Sequence, residues 1–381
     1  MADFIEIFIF FVWWFLFSID YQYFMMERCW ENVLIKNIFL DSPDRSGILG
    51  PFSGKDITES RTDVELKTEV CASKKIKKKS WFSLRFYYFY KMEIKGKLII
   101  IGGAVDKGSF TETDLDKNAS KNLNFFETGI LRRILTESKN GSDSRIEVIT
   151  TASKIPKEIG AEYLKAFAYL NATNVGVLQI ERREQAMETE VLDRLKAADV
   201  VMFTGGDQLR LTSILGGTPF HDILLDKYKN DNFIYAGTSA GAAAASNNMI
   251  YQGSSSEALL KGEVKITSGL GLIDGVVIDT HFVQRGRIGR LFQSVVGNPK
   301  ILGIGLGEDT GLLITNNNLM EAIGSGLVIL VDGREIKDTN LTQVELGQPI
   351  SINHLITHVL SMHDTFDLST FKMMIQSSQY V

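Results

Sequence analysis

Residues 233–246, FIYAGTSAGAAAAS, place a serine where its hydroxyl can become reactive. The segment opens with apolar, strand-forming residues, turns at G-T-S-A-G and continues into an alanine run that favours a helix. A strand that turns sharply into a helix around G-x-S-x-G is typical of a nucleophile elbow, with the serine exposed at the tip. Backbone N–H groups at the helix start can then stabilise a developing negative charge. The pattern indicates Ser239 as a candidate nucleophile, although an ordinary glycine-rich turn has the same composition.

A serine hydroxyl is a poor nucleophile until a base removes its proton, and a third group must hold that base in the correct tautomer. Among the five histidines of the chain, His281 ends an extended apolar run, VVIDTHF, and should emerge at the same sheet edge as Ser239. Glu308 and Asp309 lie on a glycine-rich turn, GIGLGEDTG, between two apolar stretches. They are candidates for the orienting acid, although such a pair in a turn is more often solvated surface.

Two further stretches carry groups suited to a substrate. The sequence TGGDQ, residues 204–208, has adjacent glycines whose N–H groups can approach an oxyanion. One good oxyanion donor lowers a barrier by about 3–4 kcal/mol. The sequence HFVQRGRIGRL places Arg285, Arg287 and Arg290 just after the candidate base, and guanidiniums bind carboxylates in a bidentate manner. An ordinary turn and a solvated basic helix end are the simpler interpretations of these two stretches.

The elements that must position these residues alternate along the chain. We predict strands at residues 97–101, 145–151, 174–180 and 199–204 and in the run that leads into the elbow. We predict helices at residues 123–138, 159–170, 185–198 and 209–215, the first with Phe126, Ile130, Leu131 and Leu135 on one apolar face. This order indicates an α/β fold with a mostly parallel sheet flanked by helices, which binds ligands beyond the carboxyl ends of its strands. Residues 311–331 are expected to form hairpins.

Composition excludes several function classes. The chain has 381 residues, 44% of them apolar, which is enough for a substantial core. A formal net charge of −5 gives no reason to expect a nucleic-acid partner. The two cysteines, Cys29 and Cys71, argue against a disulfide scaffold and a cysteine zinc site, and they fit a cytoplasmic location.

The first 91 residues differ from the rest. They begin with an acidic start and an apolar aromatic run, residues 7–17, and later carry a lysine cluster, residues 74–79. The apolar run is short for a membrane span, which needs roughly 20 residues, and the acidic start is unlike a signal peptide. We interpret residues 1–91 as an upstream extension without packed structure, with an accessory segment, a membrane-surface anchor or a membrane span as alternatives. Met92 then begins the catalytic domain, residues 92–381.

Five motifs together resemble one known family. GGAVDKG, TGGDQLRL, AGTSAGAAA, IDTHFVQRGRIGRL and GIGLGEDTG occur in the order and spacing of the cyanophycinases, in the serine peptidase family that also contains the aspartyl dipeptidases. The resemblance covers residues 95–381 and implies a fold like class I glutamine amidotransferases. It also implies a homodimer that hydrolyses cyanophycin, a polyaspartate with arginine on each side-chain carboxyl, to β-Asp-Arg dipeptides. Neither a cofactor nor a metal is expected.

The resemblance also implies roles for individual residues. Ser239 would be the nucleophile, His281 the general base and Glu308 the acid that orients it. The N–H groups of Gly206 and Ala240 would be the oxyanion donors. The substrate pocket would be lined by Gln208, Asp279, Thr280, Arg285, Arg287 and Arg290. From its charge, and not from the resemblance, we expect Asp279 to meet a substrate guanidinium. One departure falls in this pocket, because Thr280 stands where the cyanophycinases have glutamine.

Other functions remain open at this level. The same fold and triad would serve a dipeptidase for α-aspartyl or other acidic peptides. An α/β-hydrolase would need the order Ser, acid, His, which Ser239, Asp309 and His354 or His358 supply, but no HGGG-like oxyanion motif precedes the elbow. A non-enzymatic relative would only bind an arginine-rich or aspartate-rich ligand.

Two cofactor classes fit poorly. His354 and His358 are four residues apart, as in a helical metal pair, but their segment alternates like a strand and no acidic cluster accompanies it. Dinucleotide binding requires G-x-G-x-x-G after the first strand, and that spacing is not present.

Overall fold

The computed structural model describes residues 94–108 and 125–376, which form two main β-sheets with helices packed against them. The proposed extension, residues 1–91, lies outside the described residues and stays a prediction. The described strands are β1 (Lys97–Ile101), β2 (Ile146–Ile149), β3 (Val175–Leu178), β4 (Val200–Phe203), β5 (Ile234–Thr238), β6 (Ser246–Gln252), β7 (Lys265–Ser268), β8 (Ile273–Asp279), β9 (Leu302–Leu306), β10 (Thr310–Thr315), β11 (Leu319–Gly324), β12 (Val328–Asp332), β13 (Asp338–Thr339), β14 (Ile352–Asn353), β15 (Ile356–Leu360), β16 (Thr365–Asp367) and β17 (Lys372–Met374). The described α-helices are α1 (Ile130–Glu137), α2 (Pro156–Tyr169), α3 (Thr189–Ala197), α4 (Gln208–Leu215), α5 (Pro219–Asn230), α6 (Ala240–Ala243) and α7 (Ile288–Gly297).

The first sheet has the predicted parallel core. Its strands run in the order β1-β5-β4-β2-β3, and all neighbours in this group are parallel. Strands β1, β2, β4 and β5 are buried almost throughout, because apolar clusters cover both faces. In the register of the sheet, Ile101 at the end of β1 lies beside Thr238 at the end of β5. The end of β1 and the residue that follows β5 are therefore neighbours.

Antiparallel strands extend the parallel core. The first sheet continues beyond β1 with β10, β11, β16 and β17, and β10 and β11 form a hairpin of the kind expected in residues 311–331. The last segment of that range, β12, pairs with β9 and β15 in the second sheet instead. The second sheet has the order β15-β12-β9-β8-β6-β7, with β6, β8 and β9 parallel. Because β10 pairs with β1, the turn that joins β9 to β10 lies beside the end of β1.

The first predicted helix begins later than expected. Residues 125–129 form a turn, and α1 starts at Ile130 after Gly129 in an extended conformation. Phe126, which we expected on the apolar face, is 58% exposed and contacts Phe125 edge to face. Among all the helices in the described ranges, none combines the length and apolarity that a bilayer crossing requires.

The alanine run after the elbow is also less helical than its composition predicts. α6 contains only four residues, and β6 already begins at Ser246. The N–H of Leu270 donates to the carbonyl of Ala244 at 2.7 Å, and the N–H of Leu272 donates to that of Ala245 at 2.9 Å. In a longer helix these two carbonyls would accept from N–H groups four residues further along the chain. Here they accept from a distant segment instead, so tertiary contacts override the local helix propensity.

Candidate active site

The turn around Ser239 has the geometry of a nucleophile elbow. Ser239 follows β5 directly and has φ 50° and ψ −107°, a strained conformation for a residue with a side chain. A Cβ on Gly237 would come within 2.6 Å of the backbone of Gly241, and one on Gly241 within 2.6 Å of Phe203. The hydroxyl of Tyr235 donates to the carbonyl of Gly241 at 2.7 Å. The flanking glycines are therefore required by close backbone approach.

Three side chains predicted from separate motifs lie within hydrogen-bonding distance in series. The Ser239 Oγ is 3.0 Å from the His281 Nε2, and the His281 Nδ1 is 2.8 Å from the Glu308 Oε1. A carboxylate can only accept, so the Nδ1–H of the neutral imidazole donates to Glu308 and leaves Nε2 to accept the serine proton. The imidazole and the carboxylate are only 13% and 24% exposed. The arrangement can make an alcohol oxygen nucleophilic.

The end of β1 and the loop that follows it hold all three turns that carry these side chains, a feature that the sequence did not reveal. The three successive carbonyls of residues 101–103 accept, in that order, from the backbone N–H groups of Ser239 at 2.8 Å, His281 at 2.7 Å and Asp309 at 2.8 Å. Asp309 directly follows Glu308. Each of the three donors has a positive φ, between 46° and 50°. One short stretch of backbone therefore fixes the relative positions of the candidate nucleophile, base and acid.

The two glycines of that loop explain the start of the GGAVDKG motif. A Cβ on Gly102 would come within 2.0 Å of the carbonyl oxygen of Gly307, in the turn before Glu308. Gly103 has φ 118°, and a Cβ there would lie 2.2 Å from the Cε1 of His281. The imidazole thus packs directly against backbone. Gln284 links the segment after His281 to the candidate acid, because its Oε1 accepts from the N–H of Glu308 at 3.1 Å.

The environment of His281 favours the neutral base. Burial lowers the pKa of His281 below its ordinary value of 6.5, and the nearby guanidiniums of Arg285 and Arg287 lower this pKa further. The hydrogen bond and the charge of Glu308 oppose the shift, because they stabilise the imidazolium. The net direction keeps the imidazole able to accept a proton in mildly acidic solution.

This direction gives a pH prediction. The rate of serine modification should rise with pH as His281 loses its proton, with its midpoint below pH 6.5. Arg285→Ala removes a positive charge near the imidazole, so the pKa of His281 and the midpoint should both move to higher pH. Arg285→Lys keeps the charge and is the matched control. The measurement is the pH dependence of labelling by a small fluorophosphonate. If Arg285→Ala left the midpoint unchanged, the rise of the labelling rate with pH could not be assigned to the loss of the His281 proton.

The predicted oxyanion donors lie on the two turns that meet at Ser239. A Cβ on Gly205 would be 3.4 Å from the Cβ of Ser239, so the TGGD turn packs against the elbow. Gly206 has φ 144°, and a Cβ there would lie 2.0 Å from the carbonyl oxygen of Ala152. Within residues 94–108 and 125–376, no group accepts a hydrogen bond from the backbone N–H of Gly206 or Ala240. Both donors therefore stay candidates for an oxyanion.

Asp279 is committed to arginines of its own chain. Its side chain is 3% exposed, with Oδ1 3.2 Å from the Nη1 of Arg287 and Oδ2 3.1 Å from the Nε of Arg290. The N–H of Thr280 also donates to Oδ1, at 2.9 Å. We expected Asp279 to meet a substrate guanidinium, but these contacts indicate that it holds the two arginines in place.

The remaining predicted pocket residues differ in how accessible their side chains are to a ligand. Arg287 also donates to the carbonyl of Thr280 at 2.7 Å, so Thr280 contributes through its backbone. Arg290 is buried, Arg287 is half-buried and Arg285 is exposed. Gln208, at the start of α4, donates from Nε2 to the carbonyl of Ile250 at 2.9 Å. Arg285 is therefore the predicted arginine most accessible to a ligand.

Asp279→Asn should destabilise the fold strongly. Removing the charge leaves Arg290, which is 5% exposed, without its ionic partner. Breaking a buried ion pair typically costs about 3–5 kcal/mol in the free energy of unfolding. Asp332→Asn is the matched control, because Asp332 is equally buried but its partner Arg334 is 46% exposed and can return to water. Chemical denaturation of both variants checks this, and an equal loss in the two would contradict the role given to Asp279.

The other histidines contact groups other than Ser239. The Nε2 of His221 lies 2.7 Å from the carbonyl oxygen of Leu270, so this half-buried residue is structural. His358 lies on β15 and packs against Phe366, as the alternating pattern predicted. The structure therefore brings His281 to Ser239, rather than His354 or His358. The described ranges contain no cluster of His, Cys, Asp and Glu that could hold a metal ion.

Comparison with known proteins gives the family. The family model described as peptidase family S51 matches residues 120–322. A cyanophycinase of Trichormus variabilis is 36% identical over 274 residues, covering 72% of this chain and 86% of its own. A cyanophycinase of Geminocystis herdmanii is 32% identical over 284 residues, covering 74% and 98%. The crystal structure of a peptidase from an acI-B1 Actinobacterium superposes with a TM-score of 0.50 at 18% identity, covering 73% of this chain and 99% of that one, and supports the fold. The chain belongs to peptidase family S51 and is a serine peptidase.

Proposed function

We propose that the protein is a cyanophycinase, which cleaves cyanophycin to β-Asp-Arg dipeptides through an acyl-enzyme on Ser239. The observation that carries the proposal is the series of contacts from Ser239 through His281 to Glu308, at 3.0 and 2.8 Å. The relatives that share most of this chain are cyanophycinases, which supports the choice of substrate.

The reaction begins with proton transfer to the base. The His281 Nε2 takes the proton of Ser239 while the Oγ attacks an aspartyl carbonyl of the polymer. The N–H groups of Gly206 and Ala240 stabilise the oxyanion of the tetrahedral intermediate. His281 then protonates the leaving amine. Water, deprotonated by the same imidazole, attacks the acyl-enzyme. The ester bond to the Ser239 Oγ breaks, His281 returns the proton to that oxygen, and the product leaves, while Glu308 keeps the ring in one tautomer.

The arginines after His281 suit this polymer because each arginyl unit carries a free α-carboxylate. Arg287 is held by Asp279 and by the carbonyl of Thr280, so its guanidinium is already ordered before a ligand arrives. Ordering in advance reduces the entropy lost on binding. Arg285 is exposed and can form a bidentate pair with a carboxylate.

The test is digestion of insoluble cyanophycin, with the soluble products identified by mass. We expect β-Asp-Arg dipeptide from the wild-type protein and none from a Ser239→Ala sample. A parallel incubation with α-aspartyl dipeptides tests the related dipeptidase activity. That activity stays an alternative because Thr280 stands where the cyanophycinases have glutamine. Cleavage of those dipeptides without release from the polymer would contradict the proposed substrate while retaining the proposed chemistry.

A homodimer and a cytoplasmic location also stay predictions.

A further inference from the structure

The residue after Glu308 makes contacts that the catalytic series does not use. Asp309 is 7% exposed, and burying a carboxylate is unfavourable unless its oxygens are hydrogen-bonded. Its Oδ1 accepts from the N–H of Asp106 at 3.0 Å, and its Oδ2 accepts from the hydroxyl of Ser325 at 2.8 Å. Its own backbone N–H donates to the carbonyl of Gly103 at 2.8 Å. Asp309 therefore holds the loop after β1 at two points.

The same residue joins three segments that are distant in the chain. Asp106 belongs to the loop after β1, and Ser325 lies in the turn between β11 and β12. The N–H of Ser325 also donates to the carbonyl of Asp309 at 2.9 Å. Asp309 itself lies in the turn between β9 and β10, beside Glu308. Hydrogen bonds to a charged group are stronger than those between neutral groups, so the carboxylate is suited to fix these segments.

The loop that Asp309 holds is the one that positions the candidate triad. Just before the residues that Asp309 contacts, the carbonyls of Ile101 and Gly102 accept from the N–H groups of Ser239 and His281. Gly103 packs against the imidazole. A shift of this loop would therefore move the base relative to both the nucleophile and the acid. Effects of this kind are large, since a misplacement of about 1 Å can lower a rate by roughly 10²-fold.

We infer that Asp309 is a positioning residue for the Ser239–His281–Glu308 series: its carboxylate anchors the loop after β1, and that loop sets the distances among the three side chains. The inference rests on the proposed function of that series. Asp309 acts through the loop and has no assigned contact with the reacting atoms.

The test compares Asp309→Gly with Asp309→Asn. Both residues accept the φ of 46° at this position, so backbone strain is not introduced. Glycine removes both acceptors, and we expect kcat to fall about 10- to 100-fold with KM within about twofold. Asparagine keeps one acceptor oxygen, and the Ser325 hydroxyl can turn to accept from its amide. We expect this variant to recover most of the lost rate.

A matched control and a second readout separate positioning from general stability. Asn171→Gly makes a similar change at φ 62° in an exposed loop between α2 and β3, and it should leave kcat unchanged. Labelling of Ser239 by a small fluorophosphonate should slow in Asp309→Gly by the same factor as kcat. Wild-type kcat and labelling in Asp309→Gly would overturn the inference, as would a loss that matches only the unfolded fraction measured by circular dichroism.

The labelling readout also distinguishes the two proposals. It needs a reactive Ser239 but no polymer. If the wild-type protein is labelled at Ser239 and leaves cyanophycin intact, the proposed substrate fails and the labelling rates of the Asp309 variants still decide the inference. If the wild-type protein is not labelled at Ser239, the triad and the role of Asp309 both fail.

Discussion

Ser239→Ala is expected to lower kcat on cyanophycin by on the order of 10⁶-fold, because removing the nucleophile of a serine peptidase eliminates the covalent route. The fold should persist. Among the described residues, the Ser239 Oγ has a hydrogen-bonding partner only in the His281 Nε2, and the backbone N–H that donates to the carbonyl of Ile101 is retained in alanine. The measurement is the initial rate of dipeptide release, together with the thermal unfolding midpoint.

The control and the partner variant sharpen this expectation. Ser138→Ala removes a buried hydroxyl at the end of α1, far along the chain from the elbow, and should leave the rate unchanged. His281→Ala should be nearly as damaging as Ser239→Ala, and the double variant should be no worse than the single ones, since members of a triad act as a unit. A Ser239→Ala protein that hydrolyses the polymer at the wild-type rate would contradict the assignment.

Gly103→Ala is expected to lower kcat by about 10²-fold or more, because the added methyl would displace the base. The new Cβ would start 2.2 Å from the Cε1 of His281 and 2.5 Å from its Nε2, distances that no packed pair of atoms adopts. The imidazole must move away from Ser239, from Glu308 or from both. The measurement is kcat, with the rate of fluorophosphonate labelling as a readout that does not depend on polymer binding.

The strain of placing alanine at a positive φ needs its own control. Gly141→Ala supplies it, because Gly141 has φ 59° and a Cβ there would meet no atom within 4 Å. Both variants place an alanine at a positive φ, with more strain at the 118° of Gly103 than at the 59° of Gly141, and only Gly103→Ala reaches the imidazole. Equal activity in the two proteins would show that the close approach to His281 has no catalytic consequence.

The sequence predicted those features whose causes are local. The buried run of β1 and the glycine-flanked Ser239 are each specified within a few residues, and the structure has both where expected. His281 and Glu308 were each indicated by an apolar run that ends in a polar turn. The expectation that His281 would share the sheet edge of Ser239 is wrong, because Ser239 follows β5 of the first sheet whereas His281 and Glu308 follow β8 and β9 of the second. The local patterns left the acid open between Glu308 and Asp309, and only the family resemblance selected Glu308. The structure has the two contacts from Ser239 to His281 and from His281 to Glu308.

The features that the sequence did not reveal depend on contacts between distant segments. Asp309 and Asp106 are 203 positions apart, and a Glu-Asp pair in a turn gave no reason to separate an orienting acid from an anchoring one. The ion pairs of Asp279 could not be read from the sequence for the same reason, because its pairing with Arg287 and Arg290 depends on how the chain after β8 folds back. In the sequence, the adjacent glycines after β1 indicate that another group approaches the backbone closely there. They do not identify that group.

The most direct test of a Ser239 hydroxyl activated by His281 and Glu308 is peptide mapping of the full chain after reaction with a fluorophosphonate at neutral pH. We predict a single phosphonylated site at Ser239 in the wild-type protein, with the reaction lost in His281→Ala and greatly slowed in Glu308→Gln. An adduct on another residue, or labelling of Ser239 at an unchanged rate without the imidazole, would contradict a hydroxyl activated through His281 and Glu308.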